Sequence, residues 1–144
     1  MAAPARGKVR VLADTGFFKA LADPRDGLHP GATRFLSVFQ GDLVTTEAVV
    51  VETCFFLDAR QKQRWLSAVA DGLVSLAEPD PEAHRRIAKL SEKYADLDPD
   101  YADLTLVRLA EVSGLKRILT VDERDFSALR IHGRQRFELV PWAP

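Results

Sequence analysis

Acidic side chains recur in this sequence where the chain must turn at the end of an apolar run. Asp14 follows the segment VRVLA, and Asp122 follows RILTV, with Asp125 within one further turn. Asp100 and Asp103 begin a stretch whose apolar residues recur at helical spacing. Oxygen ligands of this kind suit Mg²⁺ or Mn²⁺, and the sequence has no Cys/His cluster of the kind that binds zinc.

Glu52 raises a separate question because it lies in a predicted helix whose apolar residues cover nearly the whole circumference, so we expect this helix to be mostly buried. The side chains three and four positions away are Ala48, Val49, Phe55 and Phe56. Burying an ionised carboxylate alone among such groups costs several kcal/mol or forces it to take up a proton. We therefore expect Glu52 to have a cationic partner, which would be an arginine or a metal ion.

The elements that must position these acids alternate along the chain. Strands are predicted at residues 9–13, 43–45, 73–77, 117–121 and 137–140, and helices at 17–22, 32–40, 47–57, 59–72, 82–96 and from about 100 to Gly114. Strands separated by helices favour βαβ units, which form an α/β fold with a mainly parallel sheet covered by helices on both faces. Functional groups gather at the carboxyl ends of such strands, so Asp14 and Asp122 should lie at the same sheet edge.

Bulk properties limit the class of protein. The 144 residues, of which 47% are hydrophobic and 28% charged, predict one domain over residues 1–144, with residues 1–8 as a flexible N-terminus. The formal net charge of -1 argues against a protein that coats nucleic acid, but it leaves a local basic groove possible. A lone Cys54 and the lack of any apolar run of ~20 residues predict a cytoplasmic protein with no membrane segment.

Each acid also has a structural interpretation, which stays open at this point. Asp14 could cap the next helix, and Asp100 and Asp103 could do no more than stabilise a helix N-terminus. Glu52 could pair with a core arginine, and Asp122 with its neighbour Asp125 could be turn residues. The joint pattern of strand-end acids and an embedded glutamate favours a common site over any one of these explanations.

The order of four segments resembles the PIN-domain family, and most of all its VapC-type toxin ribonucleases. The segments are LADTG with Asp14, TTEAVVVETCFFL with Glu52, DYADLTLVRLAE with Asp103, and ILTVDERDF with Asp122. The likeness runs from Val11 to about Pro141. One departure is Leu104, which stands where the family often has alanine after the helix aspartate.

This resemblance implies a PIN-like three-layer fold, with a central twisted sheet of four to five strands, and a divalent-metal-dependent endoribonuclease that uses Mg²⁺ or Mn²⁺. Either Asp100 or Asp103 could be the third acid, and the alignment favours Asp103. The predicted metal-binding and catalytic residues are Asp14, Glu52, Asp103 and Asp122; the supporting residues are Thr15, Asp100, Thr120 and Asp125; the candidate phosphate contacts are Arg108 and Arg124.

The resemblance also implies partners: an RNA substrate, a small antitoxin that blocks the acidic cleft, and a second copy of the chain in a homodimer. The two apolar groups near the N-terminus either form a groove for the antitoxin or pack against each other; they are Phe17, Phe18 and Leu21, and Phe35, Leu36 and Phe39. A housekeeping RNA-processing nuclease and a non-catalytic module that binds RNA or protein are the alternatives.

Other sheet proteins with strand-end acids fit less well. A phospho-accepting receiver domain needs an acceptor aspartate after its third strand and a later lysine, but here that strand ends in Ala77-Glu78-Pro79 and no lysine follows Lys116. A haloacid-dehalogenase-like phosphatase needs D-x-D-x-T where this chain has DTG, and no G-x-G-x-x-G for a dinucleotide is present.

Overall fold

The computed structural model describes residues 9–143, so the segment 1–8, which was expected to be flexible, lies outside the described residues. The strands are β1 (Val9–Ala13), β2 (Gly41–Thr45), β3 (Ser75–Leu76), β4 (Arg117–Leu119), β5 (Arg130–Ile131), β6 (Gln135–Arg136) and β7 (Glu138–Leu139). Five of them form one sheet in the order β3-β2-β1-β4-β7, and every neighbouring pair is parallel. Strands β5 and β6 form a separate antiparallel hairpin, which was not predicted.

Helices flank the sheet, so the prediction of an α/β fold with a mainly parallel sheet is confirmed. The helices are α1 (Thr15–Ala22), α2 (His29–Val38), α3 (Glu47–Phe55), α4 (Ala59–Ala70), α5 (Ala83–Lys93), α6 (Tyr101–Ser113) and α7 (Glu123–Ala128). Within the described range 9–143, no helix is both long enough and apolar enough to cross a membrane.

Local chemistry explains where the helices near the acids begin and end. Asp14 precedes α1 and accepts a hydrogen bond from the N–H of Thr15, so this helix begins two residues earlier than predicted. Asp100 caps α6 in the same way, accepting from the N–H of Asp103 at 2.9 Å. Gly114 ends α6 with a φ of 78°, a left-handed conformation that glycine adopts without a steric penalty.

The expectation that the helix containing Glu52 is mostly buried is wrong. Val51, Phe55 and Phe56 of this region are 51%, 80% and 55% exposed. Helix α3 packs against α1 and α6 and leaves its other side open, so its apolar residues continue onto solvent. Leu66 on α4 is also exposed, and Trp65 is the buried residue of that helix.

The two apolar groups near the N-terminus pack against each other and the core, which was the alternative to an open groove. Phe17 and Phe18 are fully buried. The ring of Phe17 meets Phe35 edge-on at 5.8 Å and lies 5.0 Å from the ring of Trp142. Phe17 and Phe18 therefore stabilise the fold and offer no groove for a partner.

The central strands β1 and β4 run side by side, with Ala13 opposite Leu119. The N–H of Asp14 donates to the carbonyl oxygen of Leu119 at 2.9 Å, so pairing continues to the last residue before the turn. Asp14 and the segment from Thr120 to Asp122 thus leave the sheet at the same edge, as the strand-end pattern predicted.

Candidate metal centre

Three carboxylates meet at the carboxyl end of the sheet. Asp14, Asp103 and Asp122 each present one oxygen atom, and these three atoms all lie within 4.8 Å of one another. Asp14 and Asp103 are 2% and 3% exposed, while Asp122 lies at the surface. Asp14 follows β1, Asp103 lies in the first turn of α6 and Asp122 directly precedes α7, so only the folded chain brings them together.

Asp14 is held by hydrogen bonds to both of its carboxylate oxygens. Oδ1 accepts from the N–H of Thr15 at 2.7 Å, and Oδ2 accepts from the hydroxyl of Thr120 at 3.0 Å. The capping interpretation and the site interpretation of Asp14 are therefore compatible, since the cap uses Oδ1 and leaves other lone pairs of the carboxylate available.

Thr120 joins the two strand-end acids. Its hydroxyl donates to Asp14 and accepts from the N–H of Asp122 at 2.9 Å. Its carbonyl oxygen accepts from the indole N–H of Trp142 at 3.2 Å, which fixes the backbone at this point. Thr120 thus orients the carboxylate of Asp14 and holds the backbone at Asp122.

Asp103 and Asp100 have different roles in the structure. Asp103, in the first turn of α6, is buried and belongs to the three-acid cluster. Asp100 is exposed, and its Oδ1 caps the helix by accepting from the N–H of Asp103. This geometry favours Asp103 over Asp100 as the acid that faces a metal ion.

Glu52 lies near the cluster but outside the group of three whose oxygens are mutually within 4.8 Å. It is half-buried, and its negative charge raises the pKa of Asp14 and of Asp103. Burial raises the pKa of Glu52 itself, and the charges of Asp100 and Asp122 add to the rise. Glu52 therefore borders the cluster without joining the three acids whose oxygen atoms meet, and its predicted role, as a ligand bound directly or through water, stays a prediction.

The electrostatics of the cluster are those of crowded, unneutralised acids. Burial, followed by the charges of Asp122 and Glu52, raises the pKa of Asp14 to about 7, against the lowering effect of its two hydrogen bonds. Burial and the neighbouring carboxylates, Asp14 first among them, raise the pKa of Asp103 to about 9. The pKa of Asp122 is raised by burial and by the charges of Asp125 and Asp100.

No arginine or lysine in the described part of the chain forms an ion pair with the clustered acids. Glu52 likewise forms no ion pair with a described arginine or lysine, so the alternative in which it pairs with a core arginine is not supported. Like charges that share a buried site without a cation are costly, and a bound divalent cation removes that cost.

Thr15 adds a second observation in favour of a bound group. Its Oγ1 is buried and has no hydrogen-bond partner among residues 9–143, although the Thr15 side chain lies close enough to Glu52 to lower the pKa of that carboxyl. Buried hydroxyls are rarely left unpaired in folded proteins. A hydroxyl beside a carboxylate cluster fits the environment of a hydrated Mg²⁺ or Mn²⁺ ion, which keeps several of its waters.

The predicted phosphate contacts differ in their surroundings. Arg108 is bound to Asp80, with Nε 2.6 Å from Oδ2, so it offers little free charge to a phosphate and that role is not supported. Arg124 lies exposed on α7 and makes no ion pair with a described residue. Asp125, in the first turn of α7, acts on the site through its charge on Asp122.

Sequence reasoning missed a buried ion pair and an exposed aromatic pair. Glu111 on α6 accepts from Nε and Nη2 of Arg86, both at 2.8 Å, and from the N–H of His132. The same signal that identified Glu52, an acid in an apolar helix, was present at Glu111. The other pair, His84 and Tyr101, is joined by a 2.8 Å hydrogen bond and left no pattern in the sequence.

Comparisons with known proteins agree with this geometry. The sequence profile of the PIN domain matches residues 11–131. Ribonuclease VapC26 of Mycobacterium tuberculosis is 29% identical over 135 residues, which cover 91% of this chain and all of the relative. The crystal structure of M. tuberculosis VapC20, described as a sarcin-ricin loop cleaving toxin, superposes with a TM-score of 0.69 at 17% identity, over 75% of this chain and 86% of VapC20. The chain belongs to the PIN domain family.

Proposed function

We propose that this protein is a VapC-type endoribonuclease that hydrolyses RNA phosphodiester bonds with Mg²⁺ or Mn²⁺. The observation that carries the proposal is the group of three carboxylate oxygens from Asp14, Asp103 and Asp122, all mutually within 4.8 Å. The relative named Ribonuclease VapC26, which this chain matches over the relative's whole length, supports the same activity.

Asp14, Asp103 and Asp122 would hold the ion, and Glu52 would reach it through a water molecule. A divalent cation at such a site activates a water nucleophile and neutralises charge on the phosphate. The chain supplies orientation: the Thr120 hydroxyl and the Thr15 N–H fix the Asp14 carboxylate. Asp122 is the exposed member of the cluster and therefore the one on the side from which RNA approaches.

We further propose the partners that a toxin of this type requires, which are a small antitoxin and a second copy of the chain. The exposed apolar end of α3, with Val51, Phe55 and Phe56, is the surface to examine for them. Co-expression with the product of a neighbouring small gene should relieve growth arrest. A chain that arrests no growth and has no such neighbour would instead fit a housekeeping RNA-processing nuclease.

The activity is tested by cleavage of total RNA in Mn²⁺ or Mg²⁺, with EDTA as the negative control. Asp14→Asn and Asp103→Asn should each lower the rate by at least about 100-fold, since each removes a proposed metal ligand. Asp96→Asn changes an exposed acid outside the cluster and serves as the matched control. Full activity of either cluster variant, or equal activity in EDTA, would overturn the assignment.

A further inference from the structure

A concave surface lies along α6, the helix that also carries Asp103 of the acid cluster. It is a cleft of about 630 Å³ between the start of α3, the 77–81 loop, α5 and α6. Its lining is mainly apolar, with a few polar groups that point into it. Ligand pockets of this size and composition accept flat, partly apolar molecules.

Two aromatic rings form one wall of this cleft. Nε2 of His84 and the hydroxyl of Tyr101 share a 2.8 Å hydrogen bond, and the two rings stack at a centroid distance of 5.9 Å and an angle of 26°. Tyr101 is 51% exposed, so much of its ring stays open. The hydrogen bond fixes the ring orientation before any ligand arrives, which reduces the entropy cost of stacking against it.

The position of Tyr101 links the cleft to the acid cluster. Tyr101 is the first residue of α6, directly after the capping Asp100 and two residues before Asp103. Side chains two residues apart on a helix point to nearly opposite sides, and here Tyr101 is exposed while Asp103 is buried. The two groups lie within one helical turn, a pitch of about 5.4 Å.

The charges in the cleft disfavour a phosphate as its ligand. Glu47, Glu78 and Asp80 line it, and the cation among the lining residues, Arg108, is paired with Asp80 at 2.6 Å. The hydrogen bonds to Asp80 use Nε and Nη2 of Arg108, so its Nη1 is free of them. The carboxylates accept hydrogen bonds and Nη1 of Arg108 can donate one, so together they match the edge of an uncharged ring that carries both donors and acceptors.

We propose that this cleft binds a nucleobase of the RNA strand that continues from the acid cluster past the start of α6, with the base stacked on Tyr101 and its edge facing Arg108. This rests on the proposed function, because the acid cluster then receives the phosphate on the other side of α6. Tyr101 is a positioning residue for the RNA, and its partner His84 holds the ring in place. Stacking of bases on aromatic side chains is the usual way in which proteins hold single-stranded RNA.

The test measures RNA binding apart from cleavage. A single-stranded RNA of about twelve nucleotides, with 2-aminopurine in place of adenine, is titrated into Asp14→Asn protein, and both affinity and fluorescence quenching are recorded. Adding Tyr101→Ala should weaken binding about 5- to 100-fold and abolish the quenching, whereas Tyr101→Phe should keep both. His84→Ala should weaken binding less, since the tyrosine ring remains.

Val38→Ala is the control, because Val38 is an apolar residue on α2 that is 73% exposed and does not line the cleft. Tyr101→Ala in the otherwise wild-type chain should also alter which sequences are cut. Unchanged binding, quenching and cut sites in Tyr101→Ala, or no RNA binding by the parent protein, would overturn the proposal. A changed oligomeric state with unchanged RNA binding would also overturn it, in favour of a protein interface.

Failure of the two proposals can be told apart. If the protein binds the RNA and quenches its fluorescence through Tyr101, but the wild type never cuts RNA in Mn²⁺, then only the proposed nuclease function is refuted. If RNA is cut equally well and at the same sites with or without Tyr101, then only the proposal that the cleft binds a base is refuted.

Discussion

Replacing Asp14 with asparagine should make the metal-free protein more stable while removing its response to metal. Asp14 is 2% exposed, and burial raises its pKa from 3.8 to about 7. Between pH 3.8 and about pH 7, Asp14 therefore keeps its proton in the folded chain and has lost it in the unfolded chain. For this reason the contribution of Asp14 to wild-type stability should fall as the pH rises from about 4 to about 7, and the contribution of Asp103, whose pKa is raised to about 9, should continue to fall above pH 7.

The magnitude follows from the size of the pKa change. The pKa of Asp14 rises by about three on folding, and a pKa difference of one is worth ~1.36 kcal/mol. The rise therefore corresponds to about 4 kcal/mol of unfolding free energy at pH 8. Neighbouring acids can share the proton, which makes about 4 kcal/mol an upper bound and about 2 to 4 kcal/mol the expected gain. At pH 4.5 the gain should shrink to about 1 kcal/mol, since this pH is only slightly above the unfolded-state pKa of 3.8 and ionisation therefore stabilises the unfolded chain very little.

The asparagine side chain can retain most of the local contacts. Its Oδ1 can accept from the N–H of Thr15 as the carboxylate does, and its amide can donate to the Thr120 hydroxyl oxygen, which has a second lone pair. The loss of hydrogen bonding should therefore be small compared with the relief of the buried charge.

Urea unfolding in EDTA at pH 4.5 and pH 8 measures both quantities. Addition of Mn²⁺ at pH 8 should then raise the unfolding midpoint of the wild type and leave that of Asp14→Asn almost unchanged. Asp96→Asn, with an exposed acid, should stay within about 0.5 kcal/mol of the wild type throughout. An Asp14→Asn variant that is less stable than the wild type at pH 8, or whose difference is independent of pH, would refute the reasoning.

Three further changes probe other parts of the molecule. Glu111→Ala leaves the guanidinium of Arg86 without its partner and should cost about 3 kcal/mol in urea unfolding at pH 7. Because the pKa of Glu111 is lowered in the folded state, this cost should diminish as the pH falls below about 4. A neutral effect of the substitution at pH 7 would contradict the account. Gly114→Ala, at a φ of 78° with open space around the new Cβ, should cost about 1 kcal/mol through backbone conformation alone, and no measurable loss would contradict the left-handed cap. Arg124→Ala should raise KM for RNA a few-fold at low salt with kcat unchanged, and a lower kcat alone would place Arg124 in another role.

The acids at the strand ends could be located from the sequence because the topology leaves few alternatives. An apolar run followed by an acid predicts a residue at the carboxyl edge of a parallel sheet, and Asp14 and Asp122 both lie there. Asp103 could be located because a buried stripe begins at it and a glycine at position 114 ends the same helix.

The sequence could not determine which faces of the helices have neighbours. Helix α3 has apolar residues on all sides, but the fold covers only the side toward α1 and α6, so Phe55 is exposed and Glu52 stays at the border of the cluster. The partner of Arg108 lies 28 residues away at Asp80, in a loop whose path depends on the packing of α5. Such distances are set by the tertiary structure and leave no local pattern.

Diffraction from Mn²⁺-soaked crystals at a wavelength near the manganese absorption edge tests the central claim most directly. The account predicts an anomalous difference peak among the carboxylates of Asp14, Asp103 and Asp122, and no such peak in crystals of Asp103→Asn. A fully occupied manganese ion elsewhere, with no anomalous peak among these three carboxylates at neutral pH, would contradict it.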